Sequence, residues 1–300
     1  MKSSDGTFYR FSTSGNIAVA SAPAYTGPWT YLGPMLPNGS IISIGEPNQE
    51  LWAPDVFLLD GTYHAYYVVS VSGSKASQIG LATSTTLEPG SWTDHGSLNL
   101  PQSDNYNLID PNIFRQRTDA PIYFSFGSAW KGIFQTTLNA DGTAQEPSSS
   151  IDNIAYNSTG PYFVEGSFQF WWPDAAGVPH FYFFFSSGAC CNLPPNLAAP
   201  GDEYKVMVCR SDSPTGPFHD QAGKDCLTEN GGTLVLGSHD NVYAPGGQGV
   251  IFDAETMKSP LLCYHYVDTS LGDSAYAYEN FKFGSNFLDF GSGWPVVTTA

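Results

Sequence analysis

The sequence of 300 residues carries 28 acidic and 11 basic side chains, which gives a net charge of −17 at pH 7. This charge repels phosphate backbones and anionic membrane surfaces, so neither nucleic acid nor a membrane is an expected partner. The longest apolar stretch, from Phe181 to Phe185, is far shorter than the ~18 residues of a membrane-spanning helix.

One hairpin signature recurs along the chain. It is a turn dipeptide followed by alternating aromatic residues, which is typical of a tight turn that enters a half-buried strand. Copies of this signature begin at Asp5, Asp60, Asp119, Val178 and Ser259. A second strand of small and β-branched residues follows the first four copies, at residues 17–21, 79–84, 132–136 and 204–209.

The repeat predicts an all-β fold, a five-bladed β-propeller. Periods of roughly 40 to 50 residues with several strands each are typical of propeller blades, and no segment shows sustained helical periodicity with caps. We expect residues 1–300 to form a single domain. The predicted blades are residues 1–34, 49–98, 106–145, 162–222 and 243–298.

Three of the predicted blades begin with a strand that carries an acid, namely Asp55, Asp110 and Glu165. Because the first strand of every propeller blade lines the central channel, the even spacing predicts that these carboxyl groups converge on one pocket. Two carboxyl groups that flank a bond, one protonated and one ionised, are what glycoside hydrolysis requires. The alternative for a lone Asp-Pro is a turn in which the Asp caps a backbone amide.

Cysteines and glycosylation motifs suggest the compartment. Five cysteines permit at most two disulfides and leave one thiol over, and the adjacent Cys190 and Cys191 allow either a vicinal disulfide or two separate bridges. Asn38 and Asn157 each begin an N-glycosylation triplet. We expect a secreted, extracellular glycoprotein. The first residues contain no apolar signal core, so a targeting segment either was removed or does not exist.

Longer motifs resemble those of glycoside hydrolase family 43, and within it the endo-acting arabinanases of fungi and bacteria. The motifs are Leu51-Trp-Ala-Pro-Asp-Val, Leu108-Ile-Asp-Pro-Asn, Phe126-Gly-Ser-Ala-Trp-Lys-Gly-Ile, Ala189-Cys-Cys-Asn and Leu288-Asp-Phe-Gly-Ser-Gly-Trp-Pro-Val. The likeness runs from Asp5 almost to the C-terminus. It implies a glycosidase that cleaves internal α-1,5-linked L-arabinofuranosyl bonds with inversion, with arabinan or arabino-oligosaccharides as its substrates.

The resemblance also implies catalytic roles. Family members use three acids, a base, a pKa modulator and a proton donor. Glu165, in Glu-Gly-Ser, matches the general acid, and Asp110, in Ile-Asp-Pro-Asn, matches the modulator that raises the pKa of the donor. The base, an Asp-Pro on the first strand of the first blade, has no matching position, and the repeat places it just before residue 1. Asp5 aligns with the turn residue Asp60 and does not replace it, whereas Asp55 is expected to be structural or to contact substrate.

Substrate contacts follow from the same resemblance. Sugar rings present apolar faces that pack on aromatic side chains, and Trp52 and Trp130 stand beside the site motifs, with ordinary core packing as the alternative. Many relatives hold an ion through a His on the last blade, but Gln248 stands at that place here. A structural ion in the channel and a water molecule in its place are the alternatives; no metal-binding residue is assigned and no cofactor is required. The other expected contacts are Ser77, Asn107, Leu108, Ile109, Gly127 and Ser128.

Three other functions are left open by the sequence. An exo-acting arabinofuranosidase or xylosidase uses the same fold and acids with different loops. A propeller that lacks its base would bind arabinan without turnover, and a purely structural interaction propeller would bind no sugar. We favour the active endo-arabinanase and expect it to be a monomer.

Overall fold

The computed structural model describes residues 1–128, 130–159 and 163–298, apart from the side chain of Tyr278. Strands dominate this part of the chain, which also has two short 3₁₀ segments, Thr269–Tyr276 and Tyr278–Asn280. Within the described ranges, no helix is long and apolar enough to cross a membrane.

The strands form five sheets, and in each sheet consecutive strands lie side by side. The first sheet consists of β1 (Phe8–Ser12), β2 (Ala18–Ala22) and β3 (Thr30–Pro34). The second consists of β4 (Glu50–Leu59), β5 (Thr62–Ser70), β6 (Ser77–Ser84) and β7 (Thr93–Ser97). The third consists of β8 (Asn112–Phe114), β9 (Ile122–Phe126), β10 (Ile133–Leu138) and β11 (Asp152–Ala155).

The last two sheets have four strands each. The fourth consists of β12 (Phe163–Pro173), β13 (Pro179–Gly188), β14 (Lys205–Ser211) and β15 (Thr233–Leu236). The fifth consists of β16 (Val242–Ile251), β17 (Leu261–Asp268), β18 (Lys282–Asp289) and β19 (Val296–Thr298). Five such sheets make a five-bladed β-propeller, and the predicted fold class is confirmed.

The hairpin between β4 and β5 shows why the repeated turns are readable from sequence. Asp60 and Gly61 link the two strands with φ of 49° and 85°. Asp and Gly adopt positive φ at low cost, and a two-residue turn of this kind matches the twist of the strands that it joins. β5 then buries eight of its nine residues, all except Thr62, because it is a central strand covered on both faces.

Two blades extend further along the chain than predicted. The third reaches β11 and the fourth reaches β15, beyond the expected limits at residues 145 and 222. Both outer strands have only four residues and follow long excursions, so they lack the alternation that marks the longer strands. In the fourth blade, a disulfide between Cys209 and Cys226 ties the excursion back to β14.

The chain divides into two compact units. One contains Met1–Gly127 with Thr136–Ile151, and the other contains Ser128–Gln135 with the residues from Asp152 onward. A core of the first unit includes Ile17, Val19, Met35, Tyr67 and Val69. A core of the second unit includes Tyr182, Phe184, Val206, Val208 and Leu262. The organisation of residues 1–300 as a single domain stays a prediction.

The first strands of three blades contain the same irregularity. Their register to the next strand skips two residues, between Trp52 and Asp55, between Glu165 and Phe168, and between Tyr243 and Gly246. The first skipped residue has a positive φ in each strand, 43° at Ala53, 60° at Gly166 and 52° at Ala244. Such bulges bend a strand and redirect its side chains.

The bulge places Asp55 and Glu165 at different positions of the repeat. Asp55 follows the bulge of β4 and pairs with Tyr66, whereas Glu165 precedes the bulge of β12 and pairs with Ser186. Asp110 has a φ of 52° and stands just before β8. The even spacing of the three acids therefore does not reflect three equivalent positions.

Candidate active site

Glu165 lies on β12 and receives a hydrogen bond at each carboxyl oxygen. The Tyr204 hydroxyl donates to Oε1 over 2.9 Å, and the Ser128 hydroxyl donates to Oε2. Ser128 follows β9 by two residues, and Tyr204 immediately precedes β14. The structure therefore brings together Glu165 and the predicted contact Ser128, and it adds Tyr204, whose role the sequence analysis did not assign.

The environment of Glu165 favours a protonated carboxyl group. Burial raises its pKa above the ordinary value, and the hydrogen bonds from Ser128 and Tyr204 act in the opposite direction. Glu165 is half-buried, so part of its surface is accessible. A carboxylic acid that keeps its proton at higher pH and is accessible to a ligand has the properties of a general acid.

Gln248, on β16, anchors the backbone next to Glu165. Its Nε2 donates to the carbonyl of Gly166, and its Oε1 accepts from the Ser186 hydroxyl over 2.7 Å. Ser186 Oγ in turn accepts from the Gly247 amide over 2.9 Å. Both ends of a 5% exposed amide are thus engaged, and the residue that was considered only as a replacement for a His ligand instead holds the bulge of β12.

The same residues bear on the question of a channel ion. The amide oxygen of Gln248 already accepts a hydrogen bond from Ser186, so one of its two lone pairs is occupied. Among the described residues, no group of three or more His, Cys, Asp or Glu side chains could hold a metal ion.

His265, on β17, packs flat against Tyr204. The two ring centroids are 6.4 Å apart with planes 18° from parallel, and Phe281 stacks at 5.6 Å from the imidazole. Burial lowers the pKa of His265 to about 4. This half-buried histidine is therefore a neutral support of the Tyr204 ring.

Most other predicted contacts cluster in the first unit. The Leu108 amide donates to Ser77 Oγ over 3.0 Å, and the Gly127 amide donates to the Ile109 carbonyl over 2.8 Å. Asn107 is the buried neighbour of Leu108. Ser77 and Gly127 therefore hold the segment 107–109 that leads to Asp110, which is half-buried. Their contact with a sugar, and the role of Asp110, stay predictions.

Asp55 joins β4 to β8. Its Oδ2 accepts from the Ile113 amide over 2.8 Å and from Asn112 Nδ2 over 2.9 Å. Burial raises the pKa of Asp55 to about 6, although both hydrogen bonds oppose that shift. Of the two alternatives that the sequence left open for Asp55, this geometry supports the structural one.

The two predicted sugar-stacking tryptophans are both partly accessible. Trp52 donates from Nε1 to Glu50 Oε2 over 3.0 Å in the first unit, and Trp130, in the second unit, is 40% exposed. An accessible indole face suits the apolar face of a sugar ring. Stacking of either residue on substrate stays a prediction.

Known proteins match the chain along nearly its whole length. Residues 29–282 match the family described as glycosyl hydrolases family 43. A protein of Aspergillus fumigatus named probable arabinan endo-1,5-alpha-L-arabinosidase A is 48% identical over 298 residues, which cover 99% of this chain and 88% of the relative. The arabinan endo-1,5-alpha-L-arabinosidase A of Aspergillus niger is 47% identical with the same coverage.

The fold also matches a solved structure, that of the alpha-L-arabinanase of Cellvibrio cellulosa. The TM-score is 0.83 at 27% sequence identity, over 99% of this chain and 93% of the other. The same enzyme in complex with arabinohexaose gives a TM-score of 0.82 over 97% and 91% of the two chains. Sequence, fold and the acid at Glu165 agree, and the chain belongs to the glycosyl hydrolases of family 43.

Proposed function

We propose that this protein hydrolyses internal α-1,5-linked L-arabinofuranosyl bonds of arabinan, with inversion of configuration. The observation that carries the proposal is Glu165, a half-buried carboxyl group whose pKa is raised by burial and whose two oxygens each receive a hydrogen bond. The names of the Aspergillus relatives support arabinan as the substrate and endo action as the mode.

In the proposed reaction, Glu165 donates its proton to the glycosidic oxygen as the bond from that oxygen to the anomeric carbon breaks. Water attacks the anomeric carbon from the opposite face, and a base removes a proton from this water. Glu165 becomes a carboxylate as it loses its proton. The hydroxyl donors Ser128 and Tyr204 then form charge-assisted hydrogen bonds, which stabilise the product state of the acid. No residue is assigned as the base.

The remaining assignments rest on the family resemblance. Asp110 is proposed as the modulator, whose negative charge would raise the pKa of the acid. Trp52 and Trp130 are proposed to pack on sugar rings, and the segment Asn107–Ile109 with Gly127 to offer backbone and side-chain contacts.

Product analysis of debranched arabinan tests this function. Endo action predicts a rapid fall in viscosity and a mixture of short oligosaccharides, and proton NMR should show that the first products have inverted anomeric configuration. Release of a single product from the start would favour the exo-acting alternative. Binding without new reducing ends would favour a propeller without a base, and the absence of both would reject a role in arabinan metabolism.

We further propose that the protein is secreted, N-glycosylated and monomeric. Two disulfides fit an oxidising compartment, and Asn38 is exposed. Expression in a eukaryotic secretory host should yield glycosylated protein in the medium, and an Asn38→Gln variant should lose the mass of one glycan. Light scattering should give the mass of one chain. Retention in the cell without glycan would contradict this proposal.

A further inference from the structure

The excursion between β13 and β14 begins with the vicinal disulfide Cys190–Cys191. Its base is closed by two backbone hydrogen bonds, from the Ala189 amide to the Asp202 carbonyl over 2.7 Å and from the Tyr204 amide to the Ala189 carbonyl over 3.1 Å. The disulfide is therefore attached to a fixed point of the fourth blade. Cys190 is half-buried and Cys191 is exposed, so the sulfur atoms are placed at the surface.

The vicinal disulfide lines a pocket together with aromatic residues. Tyr243 and Tyr276 meet edge to face there with ring centroids 5.8 Å apart, and His265 stacks on Phe281. The aromatic residues and the histidine that line this pocket, which we call the disulfide pocket, are Tyr204, Tyr243, His265, Tyr276 and Phe281.

Tyr204 connects the disulfide pocket to the acid. This residue lines the pocket, and its hydroxyl donates to Glu165 Oε1 over 2.9 Å. One side chain thus separates the pocket from the carboxyl group. A ligand in the pocket would therefore contact a residue that also touches the acid.

The lining also defines the charge of the ligand. None of the described lining residues is Asp, Glu, Lys or Arg, and burial lowers the pKa of His265 to about 4, so its imidazole is neutral near pH 7. A charged ligand would have no counter-charge in this wall. The hydroxyls of Tyr243 and Tyr276 and the amide of Asn192 offer hydrogen bonds to a neutral ligand rich in hydroxyl groups.

One exposed apolar side chain borders the disulfide pocket. Leu193 lines the pocket although it is 58% exposed, and it stands two residues from the exposed Cys191. A ligand that covers this side chain would remove its apolar surface from water.

We propose that the disulfide pocket is a subsite for one neutral pentofuranose unit of the substrate chain, with the Cys190–Cys191 disulfide as a rigid apolar platform for the sugar ring. The inference rests on the proposed function. The apolar face of the furanose packs against sulfur and the aromatic rings, and its hydroxyl groups face Tyr243, Tyr276 and Asn192.

Binding to an inactive background tests the subsite directly. Glu165→Gln protein is titrated by calorimetry with a linear α-1,5-arabino-oligosaccharide of six units, with and without Tyr276→Ala and the double change Cys190→Ser/Cys191→Ser. We expect each pocket change to weaken binding by about tenfold, the loss of one aromatic or sulfur contact. Tyr31→Ala, at a tyrosine that is 64% exposed in the first unit, is the matched control and should leave binding unchanged.

Active enzyme provides the second readout. The same pocket changes in protein with Glu165 intact should raise KM for oligosaccharides and leave kcat and the pH profile unchanged, because Tyr204 still donates to the acid. Mild reduction should have the same effect, since Cys191 is exposed whereas Cys209 and Cys226 are 0% and 1% exposed. Mass spectrometry after alkylation identifies the reduced pair.

The outcomes separate the subsite from the proposed function. If wild-type protein cleaves arabinan but affinity and KM do not respond to Tyr276→Ala or to loss of the Cys190–Cys191 disulfide, the subsite is wrong and the function stands. If wild-type protein neither binds nor cleaves arabinan, the proposed function is wrong and the subsite falls with it. Folding of each variant is checked by its thermal unfolding curve.

Discussion

The Tyr204 hydroxyl donates to Glu165 Oε1 over 2.9 Å while Tyr204 itself is 5% exposed and stacked on His265. Burial favours the protonated carboxyl group of Glu165, and this hydrogen bond favours the ionised one. The pKa of the acid is therefore set by two opposing effects that can be changed separately. A phenol held by stacking also stays in place when the acid loses its proton.

Removing the Tyr204 hydroxyl should raise the pKa of Glu165 further. Tyr204→Phe keeps the ring and its stacking but deletes a hydrogen bond to the carboxylate, so the alkaline limb of the kcat profile should move up by about one pH unit. Tyr264→Phe is the matched control, because its hydroxyl donates to Asn286 Oδ1 over 2.7 Å in the same unit, and it should leave the limb in place. A limb that moves down in Tyr204→Phe would contradict this account of the acid.

Neutralising Asp110 should lower the pKa of Glu165, the opposite of the change expected for Tyr204→Phe. If Asp110 is the modulator, Asp110→Asn removes a negative charge that disfavours ionisation of the acid, so the pKa of Glu165 falls and the alkaline limb moves to lower pH, with a lower kcat. The pH dependence of kcat measures this shift. An unchanged profile would remove Asp110 from the site.

Loss of the Gln248 amide should affect both stability and turnover. Gln248→Glu replaces the Nε2 donor that binds the Gly166 carbonyl, which removes this hydrogen bond and should lower the free energy of unfolding by about 1 to 3 kcal/mol. Because Gly166 adjoins Glu165, kcat should fall as well.

Gln169→Glu separates these two effects. Gln169 is equally buried, and its Nε2 donates to the Pro214 carbonyl over 2.8 Å. This variant should lose stability in urea unfolding but keep its kcat. Equal losses of kcat in the two glutamine variants would show that Gln248 has no positioning role at the acid.

Asp55 should make the protein less stable as the pH rises through 6. Its pKa is about 6 in the folded protein, above the ordinary value of 3.8 for an aspartate. Its protonated form therefore stabilises the folded state fully below about pH 4, and this contribution is lost as the pH rises toward 6. Asp55→Asn should remove that loss, on the order of 2 kcal/mol between pH 4 and 7. Urea unfolding at several pH values measures the free energy of unfolding of both proteins. If this free energy changes equally with pH in wild type and Asp55→Asn, the shifted pKa is contradicted.

The five-bladed fold could be predicted because its turns contain residues that adopt positive φ readily. Asp60 and Gly61 require a positive φ that few residues adopt, and the aromatic residues of β5 follow at once. The short outer strands β11 and β15 do not follow a two-residue turn of this kind and do not show the aromatic pattern. The bulges could not be predicted from the sequence either, because the positive φ at Ala53 is imposed by the surrounding sheet and not by the residue itself.

The site was only partly readable for a related reason. Glu165 could be found by its motif, and the resemblance pointed to Ser128, but Tyr204 and Gln248 reach the acid from strands that are distant in sequence. A tyrosine before a strand and a glutamine in a Gly-rich segment have no local signature of such a contact. The even spacing of Asp55 and Glu165 predicted that the two acids occupy equivalent positions on their strands. The register shows that Asp55 follows the bulge of its strand whereas Glu165 precedes it.

The rate of reducing-end release from debranched arabinan by Glu165→Gln protein tests the central claim most directly. The amide keeps the size of the side chain and an oxygen that can accept from Ser128 or Tyr204, but it has no acidic proton to donate. We predict that the rate falls by about a thousandfold relative to wild type while calorimetry shows that oligosaccharide binding is retained. A variant that keeps wild-type turnover within about tenfold would show that Glu165 is not the proton donor.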